Sequence, residues 1–136
     1  GPPLETFRRD MTPEELAGLA RRNLEILMLA DWRRIDPLAI HMQTLNTLGA
    51  RVKSRFISRS EALKVALPHI KTPLKGIWGS RDSTAAPYLE QREAMLRAID
   101  PGVDFRVIQD AGHWVAYEAA DHFNATLIDM LRPGAR

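Results

Sequence analysis

The sequence predicts an α/β protein in which a helical segment precedes a β-α-β-α unit with parallel strands. Three observations carry this. Residues 12–67 place apolar side chains at helical spacing and contain no strand-like run. Residues 74–78 and 103–108 are short apolar or alternating runs, and each is followed by a helical pattern. A connection that carries a helix makes the two strands parallel and the crossover right-handed.

Each element has a local reason. Thr12-Pro13-Glu14-Glu15 is a helix start, with Thr as N-cap, Pro at the first helical position and Glu completing a capping box. Leu16, Leu19, Ala20, Leu24 and Leu27 then share one face. Asp36-Pro37 starts a second helix with Leu38, Met42, Leu45 and Leu48 expected inward and Gly49 as its C′ residue. Ser60 begins a short third helix with Leu63 and Leu67, which Pro68 is expected to stop. The strand at 74–78 follows Pro73. A helix over 87–99 uses Leu89, Met95, Leu96 and Ile99 as its buried stripe. Pro101-Gly102 turns the chain into the second strand. A last helix over 119–131 puts Phe123, Leu127 and Leu131 on one side. The chain thus divides into a helical segment, 1–67, and a β-α-β-α segment, 68–136.

Composition narrows the function classes. The 136 residues suffice for one domain, and 45% hydrophobic with 26% charged residues is ordinary for a globular protein. A net charge of +2 is small and does not argue for a nucleic-acid or membrane surface, and neither partner is expected. There is no cysteine, which removes disulfides, thiolate metal sites and a Cys nucleophile and is compatible with a cytoplasmic setting. No apolar run reaches the ~18 residues of a membrane span. The first residues, Gly1-Pro2, read as a tag scar or processed end, and no secretory leader is recognised.

Two strands alone leave open sheet edges, and the helices suffice for one face. The expectation is that strands from another polypeptide, or from a second copy of this chain, complete the sheet.

Chemistry concentrates just past the two strands. Asp82 lies four residues beyond Trp78, in a loop with Gly79, Ser80 and Ser83. Carboxyl ends of parallel strands are where α/β proteins bind and react. An Asp in Asp-Ser-Thr is also ordinary turn chemistry. His113 stands in Ala-Gly-His-Trp beyond the second strand. A neutral imidazole takes a proton from a hydroxyl nucleophile and later returns it, and a carboxylate on its other nitrogen fixes the tautomer. Either residue alone is more often a turn Asp or a loop His. At the ends of consecutive strands they make an acid–base pair.

These residues carry a resemblance. Residues 72–82, Thr-Pro-Leu-Lys-Gly-Ile-Trp-Gly-Ser-Arg-Asp, resemble the acid-bearing strand of the α/β-hydrolase fold superfamily. Residues 110–131, opening Asp-Ala-Gly-His-Trp, resemble its terminal His loop and last helix. Gly-His-Trp and Glu-x-x-x-x-Phe-Asn are similar to the carbon–carbon bond hydrolases of meta-cleavage products and to related esterases. The resemblance covers residues 68–132, whereas the helical part matches in kind and order. It implies the C-terminal half of such a fold, with Asp82 as triad acid, His113 as triad base and residues 12–67 as a lid. It also implies an ester or ketone-like small-molecule substrate, Trp114 lining the pocket, and no cofactor.

The chain departs from the family in one decisive respect. The family's chain order is Ser, acid, His, with the Ser in G-x-S-x-G. Ser54, Ser58, Ser60, Ser80 and Ser83 all lack those flanking glycines. No His-Gly oxyanion segment is present either. The expected function is therefore the C-terminal portion of a serine hydrolase, supplying acid and base to a nucleophile held elsewhere. Its partners would be the N-terminal half or a second copy. The alternative is a non-catalytic, hydrolase-like module that self-associates or binds a partner.

The remaining signals are weaker. Arg51, Lys53, Arg55 and Arg59 around Phe56 read as a solvated connection rather than an anion or nucleic-acid site. His41, His69 and His122 show no metal-ligand spacing. His41 is read as a packing residue or as a lid position facing substrate. Trp32 and Trp78 are packing candidates. Glu118 is read as a cap or orienting group for the His loop.

Overall fold

A computed structural model describes residues 2–52, 56–57, 60–132 and 134. Of the basic stretch, Lys53, Arg55 and Arg59 lie outside these residues, as do Ser54 and Ser58. Helix α1, Pro13–Asn23, begins on the anticipated capping box: Thr12 Oγ1 accepts from the Glu15 N–H, and Glu15 Oε2 accepts from the Thr12 N–H. A π-helical turn, Leu24–Met28, follows. Helix α2, Pro37–Gly49, is capped by Asp36, whose Oδ1 accepts from the Ala39 N–H at 2.8 Å. Gly49 is its last helical residue rather than the residue beyond.

The third helix, α3, runs Ala62–Ala66 and continues as a 3-10 turn, Leu67–His69. Pro68 therefore sits inside a turn instead of stopping one. It lacks only a donor that a short turn leaves unused. Strands β1, Lys75–Gly79, and β2, Asp104–Ile108, flank helix α4, Leu89–Ile99. The last helical stretch is broken at Ala119 into α5, Val115–Glu118, and α6, Ala120–Met130.

β1 and β2 pair in parallel, as the crossover required, with Lys75 opposite Asp104 and Gly79 opposite Ile108. Paired residues share a face, so Gly76 and Trp78 lie with Phe105 and Val107, and Ile77 lies with Ile108. On the first face Trp78 stacks on Phe105 at a 5.0 Å centroid distance, above Leu67, Leu96 and Val103. A Cβ on Gly76 would come within 2.7 Å of the Trp78 ring, so the glycine makes room for the stack. On the second face Ile77 and Ile108 pack with Ala111, Val115, Ala119 and Phe123. Helices thus cover both faces, where the sequence had suggested cover for one. Arg106 holds β2 to α6 by gripping Asp104 with a fork and Asp129 with its remaining nitrogen at 2.7 Å.

Two helical stripes differ from expectation. On α2, Ala39 is the buried residue, packed with Leu24, Leu29 and Ile35. Leu38, Met42, Leu45 and Leu48 face outward, with Leu45 at 55% exposure. Periodicity identifies an apolar face but not the neighbour that covers it, and Ala39 lets α2 approach α1 more closely than a leucine would. On α6 the buried positions after Phe123 are Thr126 and Met130, while Leu127 and Leu131 are exposed. The break at Ala119 resets the phase of the helix against the sheet. Among the described residues, no helix is long and apolar enough to cross a membrane.

Candidate active site

The two loops that carry Asp82 and His113 are stitched together by backbone. Ser80 N–H donates to the Ile108 carbonyl and Arg81 N–H to the Ala111 carbonyl, each at 2.9 Å. Ser80 Oγ accepts from the Asp110 N–H at 2.9 Å. Asp110 itself takes the left-handed conformation (φ 60°) that Asp tolerates better than most residues.

Glycines at 79 and 112 are needed for close approach rather than for an unusual φ. A Cβ on Gly79 would overlap the carbonyl oxygens of Ala111 and Gly112. One on Gly112 would lie 2.7 Å from Ala30 N and 2.8 Å from Met28 O. Glycine after a strand ordinarily serves a sharp turn. The structure gives the stronger reason: three backbone segments meet there.

Asp82 is 4% exposed, and its two oxygens act separately. Oδ1 accepts from the Thr84 N–H at 2.8 Å and from Thr84 Oγ1 at 2.7 Å. Oδ2 lies 3.0 Å from His113 Nδ1. An ionised carboxylate only accepts, so Nδ1 must carry the proton in this bond. In the neutral ring Nε2 then keeps its lone pair, the form a general base needs. Thr84 Oγ1 also lies 3.1 Å from His113 Nδ1. Its hydrogen goes to Asp82, so its lone pair shares the imidazole proton.

Burial pushes the Asp82 carboxyl up, but hydrogen bonds from His113 and from the Thr84 side chain and backbone outweigh it. The net result is a carboxyl held below the usual aspartate range. The imidazole is less enclosed, with 41% of its side chain exposed.

The sequence reading named Asp82 and His113, and the fold brings them together. It missed Thr84, because a Thr two residues after an Asp is common turn chemistry. Glu118, read as a cap or orienting group, is buried and accepts from the Gly112 N–H at 2.6 Å. Trp114 is half-buried against the cluster of Leu24, Leu29, Ile35 and Ala39, edge-on to Tyr117 at 6.0 Å. His41 is exposed on α2. A recess of about 170 Å³ beside the pair is lined by residues 25–30 with Arg81, Ser83 and Gly112. Trp114 and His41 are not among its walls. Among the described residues, no group of three His, Cys, Asp or Glu is arranged to hold a metal ion.

Tyr117, four residues past His113, donates to Asp36 Oδ1 at 2.6 Å. Burial first, and the Asp36 carboxylate second, push its hydroxyl up to about 12. The same bond, with the Ala39 N–H, holds Asp36 below the usual carboxylate range.

No protein-family model matches the chain, and no curated protein sequence matches it. Solved structures do. The crystal structure of a mutant meta-cleavage product hydrolase (CumD) superposes with a TM-score of 0.57 over 83% of this chain, at 16% identity. The match takes in 44% of that protein, so the chain spans less than half its length. Identity this low speaks for the fold. The order of elements, the parallel pair and this likeness agree: the fold of the described residues is consistent with a partial α/β-hydrolase fold.

Proposed function

We propose that the chain is the C-terminal portion of a serine hydrolase of the α/β-hydrolase fold, active on an ester or on a carbon–carbon bond beside a carbonyl. The single observation that carries this is the 3.0 Å bond between His113 Nδ1 and the buried Asp82 carboxylate. In this reading a Ser from an N-terminal half attacks the substrate carbonyl. His113 Nε2 takes the hydroxyl proton and then delivers it to the leaving group. Asp82 keeps the imidazole in the required tautomer and stabilises the imidazolium. Residues 1–67 serve as the lid and 68–136 as the end of the core. Trp114 and the outer face of α2, with His41, close the substrate pocket once the other half is in place. The cysteine-free composition supports a cytoplasmic setting.

The test is a chromogenic acyl ester assay on this chain alone and after mixing with a separately expressed N-terminal half of an α/β hydrolase. Turnover is expected only on mixing, and Asp82→Asn or His113→Ala should lower it about 10⁴-fold. Mixtures whose rate is indifferent to both substitutions would overturn the assignment.

A second reading has its own observation. Leu38, Met42, Leu45 and Leu48 form an exposed apolar stripe, and the sheet has two strands among the described residues. Both features suit a non-catalytic module that pairs with itself or a partner.

A further inference from the structure

Three stretches meet beside Asp82 and His113: the acid loop, the His loop, and residues 27–31, which take in the end of the π-helical turn and the chain leaving it. The last is sewn to both loops. Ser83 Oγ donates to the Leu27 carbonyl at 2.7 Å, and the Trp114 N–H donates to the Met28 carbonyl at 2.9 Å. Glu118 closes the arrangement. Its carboxylate is buried and accepts three backbone N–H groups. Oε2 takes those of Gly112 at 2.6 Å and Ala30 at 3.1 Å, and Oε1 takes that of Asp31 at 2.6 Å. Gly112 is the residue before His113, and Ala30 and Asp31 belong to the helical segment some ninety positions upstream. A carboxylate, with acceptor sites only, suits three converging donors. A carboxamide would turn an NH₂ group toward at least one of them.

We propose that Glu118 is a positioning residue: it locks the loop bearing His113 to residues 30 and 31, so that the imidazole's bond to Asp82 depends on where that part of the helical segment lies. This rests on reading Asp82 and His113 as acid and base. Placement of the covering segment is thereby transmitted to the base through one buried carboxylate. Ser83 makes the matching link on the acid side. The mechanism proposed above uses neither group.

The test uses the full chain and two NMR readouts. Ring ¹⁵N shifts report which nitrogen of His113 carries the proton, and amide hydrogen exchange follows Ala30, Asp31 and Gly112. In the native sequence the ring should hold its proton on Nδ1, and the three amides should exchange with protection factors within about threefold of one another, as one opening unit requires. Glu118→Gln should raise exchange at these amides about tenfold and turn His113 into a mixture of tautomers. Leu96→Ala cuts the core on the other face of the sheet and controls for general loss of stability. It should leave the His113 tautomer unchanged. An unchanged tautomer in Glu118→Gln overturns the proposal. So does a Gly112 amide in the native chain that exchanges independently of Ala30 and Asp31, a measurement that decides even if the variant does not fold. Asp82→Asn separates the two readings. If it leaves the tautomer unchanged, the acid–base pair itself fails. If it alters the tautomer and Glu118→Gln does not, only the role of Glu118 fails.

Discussion

Asp82 performs two tasks at once, one with each oxygen. Oδ1 builds the turn through Thr84, and Oδ2 holds His113. The carboxylate thus makes both the turn and the contact with His113. Its lowered pKa has a consequence for stability. The unfolded chain takes up a proton at this carboxyl before the folded chain does. The stabilisation is thus present above the ordinary aspartate range near pH 4 and lost as pH falls through the lower folded value. Urea unfolding followed from pH 6 down to pH 3 should show that loss. Asp82→Asn should cost about 2 kcal/mol at pH 6 and flatten the acid limb of the curve. An equally steep limb in the variant would mean that other carboxylates carry it. The position of Asp82 was legible in the sequence because strand, glycine and acid stand in fixed order. Thr84 was not, since its value comes from a bond that spans two loops.

At the scale of elements, glycine is the clearest guide. Gly79 and Gly112 sit where backbones touch, while Gly18 lies on α1 with nothing near its Cβ position. Gly79→Ala should therefore destabilise the fold by about 3 kcal/mol, since neither carbonyl it meets is a yielding side-chain end. Gly18→Ala should stabilise it by about 0.5–1 kcal/mol. Thermal melts of the two variants check this, and shifts of the same sign would contradict it. The helix starts were readable because capping is local: Thr12 with Glu15, and Asp36 with Pro37, need only neighbours in sequence. The inward faces of α2 and α6 were not readable. On α2, Ala39 faces the core in place of the leucines. On α6, the break at Ala119 shifts the stripe to Thr126 and Met130.

At the scale of the whole molecule, one parallel pair is covered on both faces, with α4 on one side and α5 and α6 on the other. Among the apolar side chains that stay open are the outer stripe of α2, Leu63 and Val65 on α3, and Leu127, Ile128 and Leu131 along and just past α6. Stripes of this kind drive association in water. The chain alone should therefore scatter light as a concentration-dependent assembly, and Leu45→Glu with Leu48→Glu should shift it toward the monomer. A monomer across the accessible concentration range would count against strand pooling and against the self-associating module.

The sequence by itself determined the class, the parallel pairing, the caps and the placing of Asp82 and His113 just past the two strands, because each follows from local spacing or from a crossover that admits one handedness. Only the tertiary structure decided which helix faces are buried, why Gly79 and Gly112 are glycine, that Thr84 belongs with the pair, and which amides Glu118 holds. Those depend on backbone segments far apart in sequence arriving within hydrogen-bond distance, and periodicity holds no record of such meetings.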